Sequence, residues 1–126
     1  TLNNAWNGDK DSQAALLADG KGTTGLTYQA NLAFVDSSRP PVVVMENVKL
    51  VLKGHNGATL KRDMEARGYR VIGCSMDSGN HGHCASRNRA YIACVLEECI
   101  VEEEWAEFQS KLRLMQLDEP VPQAFR

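Results

Sequence analysis

The sequence predicts an α/β fold in which helices flank a sheet that is mostly parallel and ends in an antiparallel strand. Three observations favour this fold. Apolar runs of strand length, such as residues 42–45 and 69–75, alternate with segments of helical periodicity, the order that is typical of parallel sheets. The helical segment between those two runs predicts that they are adjacent parallel strands. A loop without helical periodicity precedes a third run at residues 89–95, which predicts that the third strand is antiparallel to its neighbour.

The boundaries of each element follow from breaker residues and from helical periodicity. Pro40 and Pro41 end the first helix, because the residue before a proline is biased towards extended backbone. Gly68 ends the second helix, since helices commonly close on a glycine in the left-handed region. In chain order the sequence predicts the helix Leu26–Asp36, the strand Val42–Met45, the helix Gly57–Arg67, the strand Tyr69–Ser75, the loop Met76–Asn88, the strand Arg89–Val95 and the helix Glu102–Leu117.

The chain of 126 residues has the size of one domain, with 43% apolar residues to build a core. Three segments are expected: a mobile polar segment at 1–25, which includes a short helical piece at 12–18, an α/β core at 26–96, and a helix with an acidic start and a tail at 97–126. The final helix carries an apolar stripe from Trp105 to Met115, which indicates core packing or a partner-binding face. No apolar run approaches the roughly 20 residues of a membrane span. Thr1 at the first position indicates a processed protein or part of a longer one.

Charge and cysteine content narrow the classes of function. The 14 basic residues do not exceed the 16 acidic ones, so DNA binding by this chain alone is disfavoured, because duplex binding needs a basic face. The four cysteines lack the close pairs of structural zinc sites, even where Cys74 and Cys84 lie near His81 and His83, so no metal is expected. Reduced thiols indicate a reducing compartment: the nucleus, the cytosol or an organelle matrix such as the plastid stroma.

The most informative segment is the apolar strand at residues 42–45 together with the polar residues after it. Four apolar residues run directly into the triplet Glu46-Asn47-Val48. In open α/β sheets ligands bind outside the carboxyl ends of the strands, so a glutamate there is directed at a site. The alternative is a buried strand followed by an ordinary polar turn. A second polar segment, Arg87-Asn88-Arg89, leads into the third apolar run.

Together the two segments resemble the second half of the catalytic domain of the DNA cytosine-5 methyltransferases, over residues 9–96. In that family a Glu-Asn-Val triplet ends a sheet strand, and a Gln-x-Arg-x-Arg segment opens a later one. Glu46 begins the first match, and Arg87 and Arg89 lie in register with the second. The resemblance implies a partial Rossmann-like, methyltransferase-type sheet. It also implies that Glu46 contacts the N3 edge of a pyrimidine and that Arg89 reaches O2, so we expect Glu46 to lie close to Arg87 or Arg89 and to pair with it.

Three positions depart from the family pattern. Ala85 stands where the family has glutamine, Cys84 where it has proline, and Ser12 where the nucleophilic cysteine belongs. A serine without a neighbouring base is a weak nucleophile, so no catalytic residue is expected. No strand followed by a glycine-rich turn precedes Asp11, which predicts that this chain has no S-adenosylmethionine site and transfers no methyl group.

These departures favour a catalytically inactive methyltransferase-like domain that is reused as a structural or protein-binding subunit of a larger assembly, for example an organellar one. Its partners would be other protein subunits. One alternative is a fragment of an active or split DNA cytosine-5 methyltransferase, with S-adenosylmethionine as cofactor and DNA as partner. Another is an unrelated small α/β binding domain in which the two motifs are coincidental, since fold analogy does not establish function.

Overall fold

The computed structural model describes residues 22–52 and 54–116. Their helices are α1 (Gly22–Ser38), α2 (Gly54–Glu65) and α3 (Glu102–Met115), and their strands are β1 (Val42–Val48), β2 (Tyr69–Asp77) and β3 (Asn88–Leu96). Three short 3₁₀ turns join them, at Lys49–Leu52, Ser78–His81 and Glu97–Cys99. The expected helical piece at 12–18, the position of Ser12 and most of the segment 1–25 lie outside the described residues.

The three strands form one sheet in the order β1-β3-β2, and both pairings are antiparallel. Ala93 at the centre of β3 lies opposite Val44 on one side and Ile72 on the other. The expectation of a mostly parallel sheet with β1 and β2 adjacent is therefore wrong. The two strands do run in the same direction, but β3 folds back after the loop that follows β2 and pairs between them. The expected final antiparallel strand is confirmed.

One face of the sheet packs against α1 and α2 and forms the core. Alternate residues of β3 point to this face, as period-two side-chain geometry requires, and all are buried: Ala90, Ile92, Cys94 and Leu96. Helix α1 adds Tyr28, Leu32 and Val35 at helical spacing, and α2 adds Leu60 and Met64. The Tyr28 hydroxyl donates a hydrogen bond to Asp63 Oδ2 at 3.0 Å, which ties α1 to α2.

The ends of the helices follow the local sequence signals. Gly68 has a φ of 81° and lies between α2 and β2, which confirms the left-handed turn expected there. Helix α1 begins at Gly22, about one turn before its predicted start. Helix α3 begins at Glu102 as predicted, with three glutamates in its first turn, where negative charge interacts favourably with the helix dipole.

Helix α3 packs on the opposite face of the sheet, next to β2. The Arg70 guanidinium lies 5.5 Å from the centre of the Trp105 ring and forms ion pairs with Glu97 and Glu102. Trp105 is the buried residue of the apolar stripe, whereas Phe108 and Met115 are exposed. Core packing is therefore confirmed for Trp105 only. The β1 half of this face remains open, with the Val42 and Val44 side chains 53% and 65% exposed.

Candidate functional site

Glu46 and Arg89 meet on the open face of the sheet. The register places Glu46 opposite Tyr91 and Val48 opposite Arg89, so Glu46 and Arg89 are diagonal neighbours on one face of paired strands. Long side chains at such positions reach one another. The Arg89 Nε lies 3.1 Å from the Glu46 Oε1. The expected proximity of Glu46 to one of the two arginines is confirmed, and the partner is Arg89.

The pair remains accessible to a ligand. The Glu46 side chain is 48% exposed and that of Arg89 27%. A pair this exposed contributes about 0–1 kcal/mol to stability. A contribution to the stability of the fold therefore explains the presence of this pair poorly. The Arg89 Nη1 donates to the backbone carbonyl of Asn88 at 2.9 Å. The ion pair joins the Glu46 Oε1 to the Arg89 Nε, and the two side chains also carry a further acceptor, the Glu46 Oε2, and a further donor, the Arg89 Nη2.

Arg87 lies just outside this pair. Its side chain is exposed and forms no ion pair with any residue in the described part of the chain. Its backbone N–H donates to the Asp77 Oδ1 at 3.1 Å. Asp77, at the end of β2, was missed at the level of sequence, although Asp before Ser-Gly is a common signal for a turn closed by the aspartate side chain.

Tyr91 was expected only as part of a strand. Because the register places it opposite Glu46, its side chain shares the open face with Glu46 and Arg89. It is 38% exposed. A partly exposed aromatic side chain next to a donor and an acceptor offers a surface on which a planar ring can stack.

The four cysteines separate into two classes. Cys84 and Cys99 are exposed, whereas Cys74 and Cys94 are buried, and none forms a disulfide. Burial raises the pKa of the Cys74 thiol to about 11 and that of Cys94 to about 12. No three acidic, histidine or cysteine side chains converge on a possible metal position in the described residues.

We expect two thiols of the folded chain to react rapidly with an aromatic disulfide reagent at pH 8. Cys84 and Cys99 should react, while Cys74 and Cys94 stay protonated and covered and react only on unfolding. The measurement is the number of fast equivalents before and after denaturant. A variant with Cys84→Ser and Cys99→Ser serves as the control and should show no fast phase. A third fast thiol in the unmodified chain would contradict the assignment.

A comparison with known protein families identifies the family to which this chain belongs. The model of the family of C-5 cytosine-specific DNA methylases matches residues 12–123, a span that includes the Glu46 triplet and the segment from Arg87 to Arg89. The chain belongs to this family. The interpretation of the two motifs as coincidence in an unrelated binding domain is therefore wrong. Comparison with curated proteins finds no significant match.

As a C-5 cytosine-specific DNA methylase family member, the chain invites a test for an S-adenosylmethionine site. One of its two described strand-to-helix connections leads from β1 through the 3₁₀ turn Lys49–Leu52 towards α2. Val51 and Leu52 are buried there. A Cβ placed on Gly57 would lie 2.9 Å from the Val51 carbonyl oxygen and 3.0 Å from that of Leu52. Protein atoms therefore fill the space beside Gly57, which leaves no room for a ligand at that point.

Among the described helices of this chain, none combines the length and apolar character needed to traverse a bilayer.

Proposed function

We propose that this chain supplies the target-cytosine recognition part of a C-5 cytosine-specific DNA methylase domain. The observation that carries the proposal is the contact between Glu46 and Arg89, which lie 3.1 Å apart on an accessible face. In this proposal the nucleophile and the cofactor-binding part come from protein outside the described residues. S-adenosylmethionine would supply the methyl group there, and no residue of the described ranges acts on it.

The pair suits the hydrogen-bonding edge of cytosine. A carboxylate only accepts hydrogen bonds when ionised, and the cytosine 4-amino group donates. A guanidinium only donates, and the cytosine O2 accepts. Uracil and thymine carry a carbonyl at position 4, which would face the Glu46 carboxylate with no proton between them. The arrangement therefore favours cytosine over uracil, and Tyr91 offers a ring surface beside it.

Recognition of the base by this chain is expected without strong binding of the DNA backbone. The net charge is −2, and affinity for duplex DNA depends mainly on basic groups that displace counterions from phosphate. Arg87 is the exposed cation nearest the pair in sequence. The backbone affinity would have to come from the rest of the methylase domain or from a partner subunit.

We expect deoxycytidine 5′-monophosphate to perturb the amide resonances of Glu46, Arg89 and Tyr91 in a titration of the isotopically labelled chain. The same titration with deoxyuridine 5′-monophosphate should give at least tenfold weaker binding, since one hydrogen bond to a charged group is lost. Both nucleotides carry the same phosphate, so the difference isolates the base. Equal affinities for the two nucleotides, or no perturbation near Glu46, would contradict the proposal.

The variant Glu46→Gln sharpens this test. An amide can turn its NH₂ group towards the uracil O4, so we expect the variant to lose its preference for cytosine rather than to lose all binding. Glu103→Gln changes an exposed glutamate on α3 and should leave the preference intact. Retained cytosine preference in Glu46→Gln would show that the carboxylate does not read the base.

A second candidate is the catalytically inactive, protein-binding form of the same domain. It is favoured by Ser12 and Ala85, which replace the family cysteine and glutamine, and by the outer edge of β1, which no other described strand covers. An unpaired edge strand is a site where another chain can add. In that case the partners are other protein subunits. All four cysteines are free, which is typical of a reducing compartment under either candidate.

The two candidates differ in one result. An inactive interaction domain should bind neither deoxycytidine monophosphate nor S-adenosylmethionine, and should transfer no labelled methyl group to DNA. We expect the isolated chain to lack methyl transfer under both candidates, because neither gives it a thiol nucleophile at Ser12. Cytosine-selective binding therefore decides between them, and methyl transfer by the isolated chain would contradict both.

A further inference from the structure

Asp77 anchors the loop that leads into β3. Its Oδ1 accepts hydrogen bonds from the backbone N–H of Gly79 at 2.9 Å and of Arg87 at 3.1 Å. Its Oδ2 accepts from the Ser86 hydroxyl at 2.6 Å. The Ser86 hydroxyl, followed by the Gly79 N–H, lowers the pKa of the Asp77 carboxyl. The carboxylate is thus ionised at neutral pH and accepts three charge-assisted hydrogen bonds.

Other contacts close the same loop at its base. The Ser78 hydroxyl donates to the carbonyl oxygen of Ala85 at 2.7 Å, and the Ser78 N–H donates to that of Arg87 at 3.3 Å. Asp77 itself lies opposite Asn88 in the ladder between β2 and β3. The first residues of β3 are therefore held on the β2 side by Asp77 and Ser78.

Arg89 depends on this anchor for its direction. It follows Arg87 by two positions and lies between Met76 of β2 and Val48 of β1 in the sheet. A slip of one residue in strand register would turn its side chain to the other face. Its pairing with Glu46 therefore requires the segment before it to enter the sheet at a fixed point.

We infer that Asp77 is a positioning residue for target-base recognition: it fixes the entry of the Arg87–Arg89 segment into β3, so that Arg89 meets Glu46. This inference rests on the proposed function for its link to the base. Asp77 lies on the far side of β3 from Glu46, so it acts through Arg89 and not by contact with the ligand.

The test compares Asp77→Ala, Asp77→Asn and Ser86→Ala in the full chain. Asp77→Ala removes both acceptor oxygens and with them all three hydrogen bonds. Asp77→Asn keeps one oxygen, which can still accept from Gly79 and Arg87, and Ser86→Ala removes one donor. The readouts are the Nε–H resonance of Arg89, a signature of its ion pair, and the affinity for deoxycytidine 5′-monophosphate. Ser110→Ala is the matched control, because the Ser110 hydroxyl bonds only its own helix at the Ala106 carbonyl.

We expect Asp77→Ala to abolish the protected Arg89 Nε–H signal and to weaken cytidine nucleotide binding about tenfold. Asp77→Asn should recover most of both, and Ser86→Ala should fall between the wild type and Asp77→Ala. The fold is checked by the amide signals of the β3 core residues. If Asp77→Ala does not fold, the graded series of the other two variants still decides the matter.

Two results separate the possible failures. An unchanged Arg89 Nε–H signal and unchanged affinity in a folded Asp77→Ala, with faster exchange of the Gly79 and Arg87 amides only, would overturn the inference and leave Asp77 as a loop residue. Absence of nucleotide binding by the wild type would overturn the proposed function. The Arg89 signal in the variants would then still show whether Asp77 positions that side chain.

Discussion

Met64→Ala is expected to lower the free energy of unfolding by about 2–5 kcal/mol. The Met64 side chain is 0% exposed and belongs to the cluster that joins α2 to the sheet. Its removal forfeits the transfer free energy of the buried atoms and leaves a cavity. The loss is a large share of the stability of an ordinary domain. Chemical denaturation followed by circular dichroism measures it.

Met115→Ala is the matched control, since Met115 is 49% exposed near the end of α3. Surface changes of this kind stay within about 0.5 kcal/mol. Equal effects of the two substitutions would contradict the placement of the core between α1, α2 and the sheet. A selective loss in Met64→Ala would support it without bearing on the ligand.

The second large effect concerns an exchange of charge between Glu46 and Arg89. We expect Glu46→Arg to weaken binding of deoxycytidine 5′-monophosphate at least tenfold, because the variant places two guanidinium groups together and removes the acceptor for the 4-amino group. The double variant Glu46→Arg with Arg89→Glu restores opposite charges. It should recover any lost stability but not the binding. Calorimetry and thermal denaturation measure the two quantities in parallel.

The exchange separates a structural pair from a recognition pair. If the double variant regains both stability and nucleotide affinity, the pair acts only by holding the strands together. If it regains stability alone, the orientation of the carboxylate and the guanidinium towards the base is what matters. Asp36, paired with Arg67 at 2.8 Å, allows the same exchange away from the site as a control, and there no effect on nucleotide binding is expected.

Sequence patterns were sufficient for the type and approximate position of each element, and insufficient for their arrangement. The strand at Val42 was predicted to end at Met45 because the apolar run stops there, yet β1 continues to Val48. Its backbone pairs with β3 through Asn47 and Ala90, and ladder hydrogen bonds do not depend on apolar side chains. Pairing of β3 between β1 and β2 is a tertiary result that no local pattern encodes.

The residues of the candidate site were predicted only in part. Glu46 and Arg89 were found by resemblance to a family, and the sheet brings them together. Asp77 and Tyr91 were not predicted, because their positions relative to the site depend on the register of β3 with its two neighbouring strands. The sequence left open whether Arg87 or Arg89 pairs with Glu46, because spacing along the chain does not show which of the two side chains faces it.

The most direct measurement of the central claim is the set of intermolecular nuclear Overhauser effects between the chain and deoxycytidine 5′-monophosphate. We predict contacts from the cytosine H5 and H6 protons to the side chains of Glu46, Arg89 and Tyr91 on the open face of the sheet. Contacts to another surface, or contacts that persist unchanged when deoxyuridine monophosphate replaces the cytosine nucleotide, would contradict the assignment of this chain to recognition of the target base.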